Sequence, residues 1–510
     1  MSDETMEARG VFAAVCGVAG AAGSTTGTEL TPAAEIRAYV DKVWPSFLDD
    51  LEALVVVPSV VDESRAWRAP WGLECHRALC VAMDVARRQG LSIVDCDGYV
   101  AYGELAGETP EQVATIAHVD VVPAGEGWTV EPYALTRREG VLMGRGVLDD
   151  KGAALASIYA AGFLARRVRN GWKPQRTLRC ILGASEEAGM MDVRRYLTGH
   201  EPPAFLFTPD AEFAVCCGEK GCVNAEVAHA VDGAGAIIEL TGGVARNAVP
   251  ARAEAIVRMD TCMDGYLAPR GSMWSPSRRV ARIVAHGVAG HAAEPAGTVN
   301  AIGVLAAYLA ACGICSAAER EFLGFCKRAL GAWDGSGLGI DVADELFGGL
   351  TCIGGTVRTQ AGRFVLTLDV RLPGAADVER VSRRIEGVAR ECGCEVRITH
   401  TREPFTMDPQ SPEVMVLRRA YEEFAGRPAV PFAIGGGTYA HHFPRAVGFG
   451  PLDRTEPLPD WVGPEHGPMR AFGSTSSSAR SPSTSVVLNP SSTLKWGQTP
   501  NLTNGAERVA

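Results

Sequence analysis

The residues able to do chemistry occur in short acidic and histidine-bearing clusters: His118 and Asp120 in "AHVD", Asp149 and Asp150 in "GVLDD", Glu186 and Glu187 in "ASEE", Asp210 in "FTPD" and His466 in "GPEHGP". Two adjacent glutamates after an apolar run repel each other and lose hydration unless something positive compensates. Side chains alternate along extended backbone, so Glu186 and Glu187 point in different directions. One can then bind a cation while the other, facing the cavity, handles a proton. Mixed imidazole and carboxylate ligands suit zinc, and also manganese or cobalt; they do not point to copper or an iron–sulfur cluster. Two ions about 3.5–4 Å apart need a bridging carboxylate and roughly two further ligands each, a demand this set meets in number.

These clusters need a scaffold that gathers them. "TPAAEIRAYVDKVW" reads as a helix with Thr31 as N-cap and Pro32 at the first helical position. A second helix, "ECHRALCVAMDVARRQG", ends at Gly90. "VATIAHVDVVPAG" reads as a strand entering a Pro/Gly turn, "DDKGAALASIYAAGFLARRVRNG" as a helix rich in small residues, and "TLRCILGAS" as a strand. Helices alternating with continuously apolar strands predict an α/β domain with a mainly parallel sheet flanked by helices. Function in such sheets gathers at the carboxyl ends of strands, where "AHVD", "GVLDD", "ASEE" and "FTPD" all fall.

After Gly221 the pattern changes to strands of period-two alternation, with helices at 300–312 and 377–391. In "FVLTLDVRL", Phe364, Leu366, Leu368 and Val370 share one face, and Asp369 and Arg371 the other. This predicts a smaller inserted α+β lid domain with one open sheet face. The expected division is a mobile leader at 1–30, catalytic segments at 31–221 and 406–468, the insert at 222–405, and a Ser/Thr/Pro/Asn-rich tail at 469–510 expected to be disordered.

A chain of 510 residues, 46% hydrophobic and 21% charged, has the composition of a soluble globular protein. Its net charge of -11 argues against nucleic acid or an anionic membrane as partner. No stretch approaches the ~20 apolar residues of a transmembrane helix. The apolar run at 11–23 has the length of a signal-peptide core but follows an acidic leader, where a positive one is expected. The 15 cysteines, an odd number without a disulfide-like framework, fit a reducing cytoplasm. Cys312 and Cys315 form a CxxC within an apolar helical run, which reads as buried thiols rather than a redox or metal site.

"TIAHVDVVPAGEGW", "GRGVLDDKGA", "GASEEAGM", "FTPDAEF", "GHAAEPAGTVNAI" and "GGGTYA" with "GPEHGP" together resemble the dinuclear zinc metallopeptidases that include carboxypeptidase G, acetylornithine deacetylase and succinyl-diaminopimelate desuccinylase. Within them the PepV-like, or Sapep-type, dipeptidase branch is the nearest in pattern, over about residues 35 to 468. The resemblance implies two divalent ions, zinc first, with manganese or cobalt as alternatives. His118 and Asp210 would hold one ion, Glu187 and His466 the other, and Asp149 would bridge them. Asp120 would accept a hydrogen bond from His118, and the Asp149–Asp150 peptide would be cis.

The implied reaction is hydrolysis of a short peptide by a water bridging the two ions, with Glu186 as general base and His291 from the lid stabilising the oxyanion. Arg371 would bind the substrate carboxylate, and Asn247, Gly436 and Thr438 would contact substrate. An N-acyl amino acid deacylase of the same family shares every metal ligand and stands as the alternative. The implied state is a monomer or weak homodimer acting on a dipeptide. His441 departs from the arginine usual among relatives. The residues after His466 lack the acidic stretch and long helix found there, leaving impaired activity as a further expectation.

Overall fold

The computed structural model describes residues 32–62, 69–231, 233, 235–258, 280–453 and 471–472. The leader at 1–30, His466 and almost all of the 469–510 tail therefore lie outside the described residues. The chain opens with α1 (Pro32–Val55), which starts at a proline whose missing N–H costs a first turn nothing. It is followed by α2 (Leu73–Gln89), closed by Gly90 in a left-handed conformation that donates to the Ala86 and Arg87 carbonyls. Three strands come next: β1 (Ser92–Asp95), β2 (Ala101–Leu105) and β3 (Thr109–His118). Helix α3 (Lys151–Arg169) is buried from Lys151 through Ala165. Its small residues are needed: a Cβ on Gly152 would lie 2.1 Å from the Val147 carbonyl oxygen. Then come β4 (Arg176–Gly183), α4 (Met191–Leu197), β5 (Phe205–Thr208) and β6 (Val215–Glu219).

A second set follows: β7 (Gly221–Ala230), β8 (Ile237–Gly242), β9 (Arg252–Arg258), β10 (Val280–His286) and the two-residue β11 (Gly290–His291). Helices α5 (Ala301–Ala311) and α6 (Ala317–Leu330) precede β12 (Thr351–Gln360), β13 (Arg363–Leu372), α7 (Val378–Glu391) and β14 (Glu395–Arg402). The chain then adds β15 (Phe405–Thr406), α8 (Pro412–Ala425), β16 (Pro431–Ile434) and β17 (Ala446–Gly448).

The first sheet runs β1-β2-β4-β3-β5-β17-β6-β15, with β16 also on β6. Its centre is parallel, β3 lying between β4 and β5 with β17 beyond, while β1, β2 and β15 add antiparallel flanks. One core packs α1, α2 and α3 against this sheet. The second sheet runs β10-β9-β8-β12-β13-β7-β14 and is antiparallel throughout. Its apolar face carries Phe364, Leu366, Leu368 and Val370, all fully buried under α5, α6 and α7.

Two local expectations change. The face of β13 bearing Asp369 and Arg371 is not open, because Arg371 Nη1 donates to the Gly435 carbonyl at 3.1 Å and Asp369 is buried beneath it. The apolar run through Cys312 and Cys315 is not one helix: Gly313, with φ of 70°, breaks it, and Ser316 starts α6 with a capping box to Glu319. Every cysteine among the described residues is a free thiol. Among those residues no helix is long and apolar enough to cross a membrane.

Candidate active site

Adjacent parallel strands ending together build the site. β3 ends at His118 and β4 at Gly183, and Val119 N–H donates to the Gly183 carbonyl at 3.0 Å. β5, on the other side of β3, leads into Asp210. His118 N–H donates to Asp150 Oδ2 at 3.0 Å, which brings the start of α3 to the same place. The Asp149–Asp150 peptide is cis, as the resemblance implies.

The His118 ring is fully buried, and its Nδ1 lies 3.0 Å from the Asp120 carbonyl oxygen. A carbonyl only accepts, so Nδ1 carries a proton, and when the ring is neutral the lone pair of Nε2 faces the acids. Nε2 has no hydrogen-bond partner among the described residues, yet lies 3.2 Å from Asp149 Oδ1 and 3.6 Å from Asp210 Oδ2. Ligand atoms of His118, Asp149 and Glu187 lie within 4.8 Å of one another, as do those of His118, Asp150 and Asp210. A nitrogen lone pair converging with carboxylate oxygens is repulsive unless a cation sits among them, so the donor set fits divalent metal.

Charge in this cluster is frustrated in the way such a site requires. Burial drives the Glu186 carboxyl well above the usual range, and Asp210, Glu187 and Asp120 add to the rise while His118 opposes it. Burial likewise lifts Asp150, reinforced by Asp210. For His118 burial disfavours the charged ring, but Asp120, Asp149 and Asp210 outweigh it and hold the ring above its ordinary value.

Asp120 accepts from the His118 ring, as the resemblance implies, and does a second job besides. Its carbonyl, not its carboxylate, takes the closest contact with His118 Nδ1; Oδ1 stands at 3.3 Å. The carboxylate also accepts the N–H of Glu186 at 3.2 Å and of Glu187 at 3.1 Å. Asp192 holds the same loop one step earlier. Its Oδ2 accepts Ala184 N–H at 2.7 Å, Ser185 N–H at 2.8 Å and the Tyr439 hydroxyl at 2.5 Å. The Tyr439 ring packs edge-on 6.3 Å from the His118 ring. The two glutamates therefore stand on a loop fixed by two buried carboxylates.

The other expected residues gather elsewhere. Asn247 and His291 come from distant segments and meet: Ala248 pairs with His291, and Ala292 N–H donates to the Asn247 carbonyl at 2.9 Å. His291 is exposed, with Nδ1 accepting Ala293 N–H at 3.3 Å. Gly435 abuts this loop, since a Cβ there would lie 2.4 Å from the Ala293 Cβ. Arg371 holds Asp369 with two hydrogen bonds of 2.6 and 2.9 Å besides its bond to Gly435. Thr438 gives its hydroxyl proton to buried Glu219 at 2.6 Å and its N–H to the same oxygen at 3.0 Å. His466 lies outside the described residues. Asp192, Glu219, Tyr439 and Arg402 went unflagged in the sequence. Glu219 opens the stretch "EKG" and Tyr439 lies within "GGGTYA", whereas Asp192 and Arg402 carry no local signal.

Comparison with known proteins places the chain in a family. Residues 114–460 match the model of peptidase family M20/M25/M40. The chain belongs to that family, and it is a hydrolase. A Staphylococcus aureus (strain bovine RF122 / ET3-1) protein named "Putative dipeptidase SAB1611c" is 30% identical over 438 residues, covering 82% of this chain and 91% of the relative. "Putative dipeptidase YtjP" of Bacillus subtilis (strain 168) is 28% identical over 419 residues, covering 79% and 89%. Among solved structures, the di-peptidase Dug1p from Saccharomyces cerevisiae superposes with a TM-score of 0.49 at 14% identity, over 85% of this chain and 93% of that one.

Proposed function

We propose that the chain is a metal-dependent dipeptidase that hydrolyses the peptide bond of short peptides bearing a free carboxylate. The observation that carries this reading is the buried His118 Nε2, without a hydrogen-bond partner among the described residues and surrounded by the carboxylates of Asp149, Asp150, Glu187 and Asp210. His118, Asp149, Glu187 and Asp210 would hold two divalent ions, with Asp150 beside them and His466 completing the set. When bound, such ions supply Lewis-acid polarisation of the scissile carbonyl and acidify water.

The protein's own groups do the rest. Glu186, whose carboxyl burial has made more basic, accepts a proton from the attacking water and delivers it to the leaving amine. Asp120 and Asp192 keep that carboxylate in place through the backbone of residues 184–187. His291 stabilises the oxyanion of the tetrahedral intermediate, and Asn247, Gly436 and Thr438 line the substrate. Arg371 contributes positive charge for the terminal carboxylate. Residues 222–405 act as a lid over the catalytic segments, and the free thiols support a reducing cytoplasm.

The test is a hydrolysis panel on the purified full-length chain with zinc or manganese supplied, a chelated control and Glu186→Ala. Chelator-sensitive cleavage of dipeptides, with longer peptides and N-acyl amino acids spared, is the expected result. A folded, metal-loaded protein that leaves dipeptides intact but cleaves N-acyl amino acids would make it a deacylase.

A further inference from the structure

We infer that Tyr439 is a positioning residue for hydrolysis: its buried hydroxyl, given to Asp192, pins the loop that carries Glu186 and Glu187. The inference rests on the function proposed above and adds a residue that acts through Glu186.

The loop needs holding because it has left the sheet. The ladder between β3 and β4 ends where His118 faces Gly183, and the glutamates follow beyond it. Asp192, near the start of α4, catches the chain there. Its Oδ2 accepts Ala184 N–H at 2.7 Å and Ser185 N–H at 2.8 Å, and its Oδ1 takes Val193 N–H at 2.7 Å. Between loop and helix the chain turns back through Met190, whose φ of 58° is one that a residue with a side chain seldom adopts. Such a conformation persists where the surroundings over-determine it. Here Met190 N–H donates to the Ser185 carbonyl at 2.9 Å, and Gly189 N–H to the Glu186 carbonyl at 3.0 Å.

Four donors thus surround Asp192, three N–H groups and the Tyr439 hydroxyl at 2.5 Å, and no cation is among them. A buried carboxylate held by neutral donors depends on each of them. Burial first, and Asp120 next, push the Asp192 carboxyl above its usual range; the Tyr439 hydroxyl is the largest of the groups opposing that rise. Two of the N–H groups belong to the loop being held, and the third to the helix that bears Asp192. The hydroxyl comes from 247 residues away. Without it, loop and helix hold only each other. Gly183 makes room for the contact, since a Cβ there would collide with both the Tyr439 hydroxyl and Asp192 Oδ2.

Tyr439 can serve as an anchor because it is itself fixed. Its side chain is fully buried, and its ring meets the His118 ring edge-on at 6.3 Å. The preceding residue, Thr438, gives both its N–H and its hydroxyl to Glu219. Before it, the Gly435 carbonyl accepts from Arg371 and the Gly436 carbonyl from Arg402. One side chain therefore abuts a candidate metal ligand and fixes the loop of the base.

The experiment combines hydrogen exchange with steady-state kinetics on the metal-loaded full chain, comparing wild type with Tyr439→Phe, which removes one oxygen and keeps the ring. The amides of residues 184–187 should exchange at least about tenfold faster in Tyr439→Phe, the scale of one hydrogen bond to a charged group. For a dipeptide, kcat should fall about 10- to 100-fold, with KM and bound metal within about twofold of wild type. Added to Glu186→Ala, Tyr439→Phe should change the residual rate by less than about twofold, whereas a merely structural role would lower both backgrounds alike. Asp192→Asn, whose Nδ2 cannot accept an N–H, reports from the other partner if Tyr439→Phe does not fold, and should speed the same exchange. A kcat within about threefold of wild type, unchanged exchange at 184–187, or an equal loss on the Glu186→Ala background overturns the assignment. Wild type that cleaves no dipeptide sinks the proposed function instead; the exchange measurement needs no substrate and still decides whether Tyr439 pins the loop.

Discussion

The sharpest consequence of the site geometry concerns Asp120. Its carboxylate belongs to neither of the two groups of potential ligands, yet besides contacting the His118 ring it accepts the N–H groups of both Glu186 and Glu187. A hydrogen bond to a charged acceptor contributes about 1.5–3 kcal/mol, so removing both oxygens costs the loop roughly 3–6 kcal/mol. If that energy holds Glu186 in its working position, Asp120→Ala lowers kcat by about 10²- to 10⁴-fold, at tenfold per ~1.4 kcal/mol. Asp120→Asn keeps one acceptor oxygen and should lose only about 10- to 150-fold. The assay is steady-state dipeptide hydrolysis with metal content measured on each variant. KM should move little, because the loop does not hold the carboxylate end of the substrate. Since Asp120 acts through Glu186, adding Asp120→Ala to Glu186→Ala should slow the enzyme little further. Asp120→Ala turning over within threefold of wild type, fully metal-loaded, would refute the reasoning.

Glu186→Gln should lower kcat by about 10²- to 10⁴-fold with metal content unchanged, as measured by turnover and elemental analysis; a tenfold loss or less would remove Glu186 from the role of base. Chelation should lower the thermal midpoint of the wild type, because ligand at a thousandfold excess over Kd stabilises by about 4 kcal/mol. Asp149→Ala should show a much smaller chelator effect in the same thermal scan. Burial lifts Glu219 to about 7, against its hydrogen bonds from Thr438 and the nearby Arg402. A carboxyl with a raised folded pKa contributes its stability below the unfolded value of 4.5 and loses it as pH rises through about 7. Glu219→Gln should therefore gain on wild type between those limits, by up to roughly 3 kcal/mol, and level off above them. Unfolding free energies whose difference stays flat across that window would contradict the assignment.

How legible this was differs by residue. The clusters at strand ends were readable because a parallel sheet must collect its strand termini, and β3 between β4 and β5 puts His118, Glu186 and Asp210 side by side. Asp369 and Arg371 opposite Phe364, Leu366, Leu368 and Val370 were readable too, since period two is a local property of a strand. What covers that polar face was not, because Gly435 lies 64 residues from Arg371 and nothing in local alternation records the contact.

The same limit explains the carboxylates that were missed. Asp192 and Tyr439 are separated by 247 residues, and Glu219 and Thr438 by 219, yet each pair closes a buried hydrogen bond that fixes a loop of the site. By itself the sequence determined which residue types stand at the ends of which strands, and hence that a cation and a proton-handling acid belong together. The tertiary structure alone decided which oxygen each acid presents, and that Asp120 holds the backbone of the glutamate loop as well as the His118 ring. The physical reason is that ligand chemistry follows from side-chain identity, whereas hydrogen-bond partners depend on packing between segments hundreds of residues apart.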